Sequence, residues 1–229
     1  MINFRALRWF GLAFLILFAG TSCRRGRVSA LKTATVGAAG VKLIKIVSEA
    51  GVLKIDGRVG DSVATVRASA IGSSRSILAR IGLVATRSGD VVTIQPRLPN
   101  RGFFRWGNSF LAIMDMSITV PAGIPIEISD GSGDIVARGV GPVKISDGSG
   151  GIDLQGITGS VDVEDGSGEI AIKGVDGDVK ITDGSGGISV SNVTGNLNIP
   201  ADGSGSLVAQ RIGGSVQIAD KGSGAVNVA

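Results

Sequence analysis

The tetrad Asp-Gly-Ser-Gly opens at Asp130, Asp147, Asp165, Asp183 and Asp202, and a looser sixth copy runs Asp220-Lys221-Gly222-Ser223-Gly224. Successive tetrads lie 17 to 19 residues apart. A unit that short cannot enclose a core of its own, so each copy must stack on its neighbours and the chain must form a solenoid. Function is then to be sought on a surface rather than in a deep pocket.

The unit that begins at Asp165 carries apolar residues at Ile170, Ile172, Val175, Val179 and Ile181. Their spacing has period two and their side chains are branched, so each unit reads as two short strands separated by Gly-rich turns. Ile135, Ile152, Ile170, Ile188, Leu207 and Val226 recur as one column, and Val143, Val161, Val179, Leu197 and Val216 as another. The expected fold is all-β, a single-chain β-helix or β-solenoid with coils of about 18 residues. Stacking at roughly 4.8 Å would line the Asp and Ser residues of the tetrads into ladders along one corner.

At the other end, Arg5 and Arg8 precede an apolar run from Trp9 to Ala19, then Gly20, Thr21, Ser22 and the only cysteine, Cys23. The run is short for a bilayer span and lies where the core of an export signal belongs, so a secretory signal fits better than a transmembrane helix. The pattern resembles a bacterial lipoprotein signal, with Gly20 standing where that signal usually has Leu. Acylation of Cys23 explains a lone cysteine at this place; an ordinary unpaired thiol, or loss with the signal, is the alternative. The organisation read from the chain is a lipoprotein-type signal at 1–22, a lipid anchor and tether at 23–34, an irregular β start of the solenoid at 35–128, and the regular repeat at 129–229.

Charge divides along the same line. Residues 24–128 hold 15 Lys and Arg against 6 Asp and Glu, whereas residues 129–229 hold 6 against 13. Arg24, Arg25 and Arg27 would lie near lipid headgroups, where each basic residue adds about 1 kcal/mol on an anionic leaflet. Alternation continues through the basic half without a clean repeat, as in Val41–Val47, Asp90–Gln95 and Ile113–Val120. Ser69 to Ala85 is the segment where a short helix or a long loop would fit.

The run Val120-Pro-Ala-Gly-Ile-Pro-Ile-Glu-Ile-Ser-Asp-Gly-Ser-Gly-Asp-Ile135, with the later Gly-Ser-Gly-x-Ile copies, resembles the "putative adhesin" β-strand-repeat families of bacterial cell envelopes. The resemblance covers most of residues 35–229. It implies a single-chain β-helix and a suspected role in adhesion, and it assigns no biochemical activity.

The chain has no His and no Tyr, which removes His-based triads and His zinc sites. No catalytic residue is assigned. Asp162, Glu164, Asp165, Glu169, Asp176 and Asp178 are dense enough for carboxylate glycosidase chemistry, but they recur with the turns rather than forming one unique pair, which makes a glycan-active enzyme the weaker reading. Asp130, Asp147, Asp165, Asp183, Asp202 and Asp220 in register would repel one another. Ca²⁺ held with carbonyl oxygens of the Gly turns could relieve that repulsion. Asp side chains capping turn amides are the commoner use of such residues, and the Gly-Gly-x-Gly-x-Asp pattern of calcium solenoids is missing. No other cofactor is implied.

One stretch breaks the pattern. Between Arg97 and Asn108 lie Arg101, Phe103, Phe104, Arg105 and Trp106, the mixture that anchors partners, membrane interfaces or sugar rings, or that folds back to plug a solenoid end. The chain is therefore read as a non-enzymatic, exported envelope module, adhesin-like or structural, anchored to a membrane through lipid and facing the periplasm or outer membrane. A calcium-stabilised solenoid that binds polysaccharide is the alternative. Its expected partners are the membrane and a protein or glycan; nucleic acid is not expected, and end-to-end self-association through the last strands is.

Overall fold

The computed structural model describes residues 27–99 and 111–229, together with the backbone of Ile16–Phe18 and Cys23–Arg24. Alternation does what the pattern requires. In the strand Val161–Asp165, Val161, Val163 and Asp165 turn inward, while Asp162 and Glu164 face out. A regular coil contains a strand such as Val143–Asp147 in a 10-stranded sheet, the Asp-Gly-Ser-Gly corner, a strand such as Ile152–Ile157 in a 12-stranded sheet, and a second corner. The result is a β-solenoid of about five turns with coils of about 19 residues.

Within the repeat, strands pair in parallel, each with its own counterpart one coil away. Val143, Val161, Val179, Leu197 and Val216 stand above one another, as do Ile135, Ile152, Ile170, Ile188, Leu207 and Val226. Both columns named from the sequence are real, and they join one apolar core that runs the length of the solenoid. On the outer face of the smaller sheet the same register lines up Lys45, Glu127, Lys144, Asp162 and Lys180, alternating in sign. Lys45 Nζ lies 2.8 Å from Glu127 Oε2, and Lys180 Nζ lies 3.7 Å from Asp162 Oδ1. Exposed pairs of this kind are worth at most about 1 kcal/mol each, so they favour the register more than they stabilise the fold.

The irregular half is more than a ramp. Leu43–Ser48 and Leu53–Arg58 form a complete coil whose strands pair in parallel with Ile126–Asp130 and Ile135–Arg138. That coil is wedged between two coils that follow it in sequence, because Val91–Arg97 and Ala112–Pro121 pair with its other side. Beyond them the sheets turn antiparallel. Ala112–Pro121 pairs with Val63–Gly72, which pairs with Arg27–Gly37, and Val91–Arg97 pairs with Gly82–Ser88. Such antiparallel strands cap the parallel stack at this end. Between Ser69 and Ala85 the chain ends a strand at Gly72, makes the short helix Arg75–Leu78 with the Ser74 hydroxyl accepting from the Ile77 amide at 3.3 Å, and re-enters a strand at Gly82.

Residues 98–111 connect Val91–Arg97 to Ala112–Pro121, the step that Asp-Gly-Ser-Gly makes in a regular coil. The Arg and aromatic stretch is thus an expanded version of the same corner. Its residues Arg101, Phe103, Phe104, Arg105 and Trp106 lie outside the described residues. At the opposite end, Val226–Val228 is the edge of the larger sheet, with Val226 and Val228 about half exposed.

The last glycine of each tetrad is where sterics fix the corner. Gly168 has φ +150, and a Cβ there would be driven into the Gly150 carbonyl of the coil below. Gly60 has φ +87 with open space around it. Gly168→Ala is therefore expected to cost about 3 kcal/mol or more, and Gly60→Ala only about 1 kcal/mol. Urea unfolding of the two variants followed by circular dichroism checks the difference.

Candidate functional site

The strands Ile126–Asp130, Val143–Asp147, Val161–Asp165 and Val179–Asp183 each end in an aspartate whose side chain points inward, and Asp202 holds the same place within Leu197–Ser204. Asp130, Asp147, Asp165, Asp183 and Asp202 stack in register, and all are buried, from 7% exposed at Asp147 to 1% at Asp202. The file is bounded at both ends by other chemistry. Ser48, itself buried, occupies the position next to Asp130. Lys221 occupies the position next to Asp202.

The reading that put Asp220 in this file does not hold for its register. Asp220 is exposed, and its contribution is a carbonyl that accepts the Asp202 amide at 2.9 Å. Lys221-Gly222-Ser223-Gly224 is the true counterpart of Asp202-Gly203-Ser204-Gly205, with Lys in place of Asp. Lys221 Nζ lies 3.2 Å from Asp202 Oδ2 and donates to the carbonyls of Gly205 at 2.8 Å and Ser223 at 2.9 Å. Ser48 was missed for a similar reason: Ser48-Glu49-Ala50-Gly51 fills the tetrad's place with one of its four residues retained. Both were legible only by aligning the apolar columns instead of the Asp.

The carboxyl oxygens of this file are poorly served. Asp165 Oδ1 accepts from the Ser167 amide at 3.3 Å and Asp183 Oδ1 from the Ser185 amide at 3.1 Å, the turn-capping use expected of such residues. Their Oδ2 atoms, and both oxygens of Asp130 and Asp147, have no hydrogen-bond partner of good geometry. Burial pushes the Asp147 and Asp183 carboxyls up to about 6, reinforced for each by the charges of its two file neighbours. Asp130 and Asp165 are raised by burial too; the Ser48 hydroxyl and Gly131 amide near Asp130, and the Ser167 and Gly166 amides near Asp165, offset part of that cost.

The other acids are dispersed. Asp162 lies on the outer face beside Lys180, and Glu164 and Glu169 are exposed. At the second corner Asp176 accepts from the Thr194 hydroxyl at 3.1 Å, and Asp178 from the Asn196 amide at 2.7 Å. The six acids considered for glycan chemistry are thus spread over the interior, the outer face and both corners. Among the described residues no three acidic, His or Cys side chains converge as a preformed metal cage. The Cys23 side chain lies outside the described residues; its backbone pairs antiparallel with Val28. Among the described residues no helix is long and apolar enough to cross a membrane.

A family model described as Toastrack DUF4097 matches residues 64–229, most of the chain and every regular coil. The chain belongs to the Toastrack family. That assignment agrees with the resemblance read from Val120 to Ile135 and from the Gly-Ser-Gly copies. Solved structures similar to this Toastrack chain include a "putative cell adhesion protein" from Clostridium sporogenes, 16% identical, covering 87% of this chain and 98% of that one with a TM-score of 0.45. A "putative lipid binding protein" from Parabacteroides distasonis is 16% identical and covers 87% and 96% of the two chains with a TM-score of 0.43. A "putative adhesin" from the same species is also 16% identical, covering 87% and 97% with a TM-score of 0.31. No curated protein matches the chain.

The raised carboxyls set the sign of the pH dependence. An acid whose affinity for its proton is higher in the folded state stabilises the fold below its unfolded value, and that contribution is lost as pH rises through the folded value. In chelator, the Toastrack repeat is expected to lose on the order of 2 kcal/mol per central carboxyl between pH 4 and pH 8. Denaturation midpoints across that range should fall with pH, and Asp147→Asn with Asp183→Asn should flatten the profile. Lys221→Met leaves Asp202 as an uncompensated buried charge and is expected to cost about 3 kcal/mol at pH 8, measured by the same denaturation.

Proposed function

We propose that the protein is a non-enzymatic, adhesin-like module of the bacterial envelope, held to a membrane by lipid on Cys23 and meeting its partner through the expanded corner at residues 98–111. One observation supports this reading above the others. Every regular tetrad corner is closed by Gly and buried Asp and leaves nothing large to present, whereas the corner between Val91–Arg97 and Ala112–Pro121 carries three Arg-spaced aromatics. Aromatic and Arg side chains dominate binding energy because they bury large areas at low entropic cost. Two Arg among them, Arg101 and Arg105, suit a partner with anionic groups such as an acidic glycan or protein surface.

The repeat supports a scaffold role rather than turnover. One outer file alternates in sign, and the repeat's other acids are buried, hydrogen-bonded or singly exposed as Glu164 and Glu169 are, while catalysis calls for a unique pair at a set separation. The basic segment after Cys23 suits a position against lipid headgroups.

Anchoring and binding are tested separately. Intact mass of the protein extracted from its own membrane is expected to show a diacyl or triacyl adduct on Cys23, and Cys23→Ala is expected to move the chain to the soluble fraction. The triple variant Phe103→Ala, Phe104→Ala, Trp106→Ala is expected to keep its unfolding midpoint while losing at least about tenfold in binding to protein-depleted envelope fractions. A lowered midpoint with unchanged binding would instead mark the aromatics as a plug for the solenoid end.

A further inference from the structure

The buried file at the tetrad corner contains five carboxyl groups and one ammonium, and the ammonium shows what the rest of the file is built to hold. Lys221 Nζ is ligated by one carboxylate oxygen of Asp202 and by two turn carbonyls, those of Gly205 and Ser223. Each of these ligands has a counterpart in every other Asp-Gly-Ser-Gly coil. Gly133, Gly150, Gly168 and Gly186 correspond to Gly205, and among the described residues no hydrogen-bond donor is placed on their carbonyls. Ser149, Ser167, Ser185 and Ser204 correspond to Ser223; their carbonyls accept one Gly amide each, as Ser223 accepts Gly205 N at 3.0 Å while also receiving Lys221. The remaining ligand is the aspartate. Both oxygens of Asp130 and of Asp147 lack a hydrogen-bond partner of good geometry while those residues are more than nine-tenths buried, as does one oxygen each of Asp165 and Asp183; at Asp202 neither oxygen has such a hydrogen bond, and Oδ2 meets the Lys221 ammonium as an ion pair.

We propose that the corner is a line of divalent-cation sites, with two Ca²⁺-class ions bridging Asp130 to Asp147 and Asp165 to Asp183, and the Lys221 ammonium serving as the built-in third cation on Asp202. Geometry and charge both select this arrangement. Parallel strands place successive carboxylates roughly 4.8 Å apart, twice the oxygen distance of roughly 2.4 Å that Ca²⁺ takes, so one ion fits between two neighbours with turn carbonyls completing its shell. Ions in adjacent gaps would lie about one strand spacing apart and repel strongly. Alternate gaps avoid that. With Asp202 neutralised by Lys221, four carboxylates remain, and two divalent ions balance them. The outer face of the same coils needs no such help, because its file alternates Lys with Glu or Asp.

The inference stands independently of the proposed adhesive role. It is tested by calorimetric titration of CaCl₂ into the full chain at pH 8, kept in non-ionic detergent and first stripped with chelator, with thermal unfolding measured in parallel. The expected result is about two Ca²⁺ per chain with a raised unfolding temperature. Asp147→Asn with Asp183→Asn keeps the shape of the file and replaces one anionic carboxylate of each site with a neutral amide oxygen, so it should abolish both effects. Asp153→Asn, on the outer face beside Arg138, should abolish neither. The proposal is overturned if millimolar CaCl₂ gives no heat and no shift with the unaltered protein, or if binding survives the double Asn variant.

Discussion

Parallel, in-register stacking is the constraint from which everything else in this molecule follows. Because each strand pairs with its own counterpart one coil away, every residue of the repeat meets residues of its own column, and a choice made once is felt at every level. For Ile and Val the consequence is favourable: branched side chains of one kind pack on each other and form a core through the whole rod. For ionisable residues it is adverse unless the column alternates in sign. The outer file from Lys45 to Lys180 does alternate, and the corner file from Asp130 to Asp202 does not. In the regular coils the file that places like charges together is also buried, which is why Asp147 and Asp183 take up protons more readily than ordinary acids.

The regular coils were legible from the sequence because their period is short and their columns are nearly uniform. Both apolar columns, the strand pairs and the corner position of the tetrad could be assigned without coordinates. The coil at Leu43–Arg58 could not be placed, since its parallel partners Ile126–Asp130 and Ile135–Arg138 lie about 80 residues away and no local signal encodes an interleaved order. Lys221 was hidden for a different reason. Anchoring the last copy on Asp220 shifts it by one residue, and a one-residue slip exchanges inside for outside. The columns ending at Val216 and Val226 were the better guide, because burial of apolar surface sets register more strongly than the identity of a turn residue does.

The second corner shows how far the repeat tolerates departure. Gly139, Gly156 and Gly174 adopt φ between +62 and +73, and the same column continues with Asn192 at +57 and Arg211 at +55. Asn enters this region at little cost, whereas Arg pays a strain of about 1 kcal/mol. The Arg211 guanidinium donates from Nε to Asn192 Oδ1 at 2.5 Å, a contact available only because both depart from glycine together. At the tetrad corner no such drift occurs. The last glycine is retained from Gly133 to Gly224, because there the obstacle is the carbonyl of the coil below and not merely the sign of φ.

These observations separate the solenoid into parts with different freedom. Its sheet faces can vary in any way that keeps charges alternating, and its second corner can exchange Gly for Asn or Arg. The tetrad corner is constrained by backbone contact and by buried charge at once, so a change there must either keep the last glycine or replace the whole corner. The departures on that edge respect both constraints: Lys221 and Ser48 replace the aspartate at the two ends of the file while the last glycine stays, and residues 98–111 replace a whole corner. An insertion at this corner leaves the strands on either side in register, as Met116 opposite Leu53 and Ile94 opposite Ile46 show. A solenoid of this kind can therefore acquire a recognition loop without disturbing its core, provided the loop enters at a corner and the next strand resumes its column.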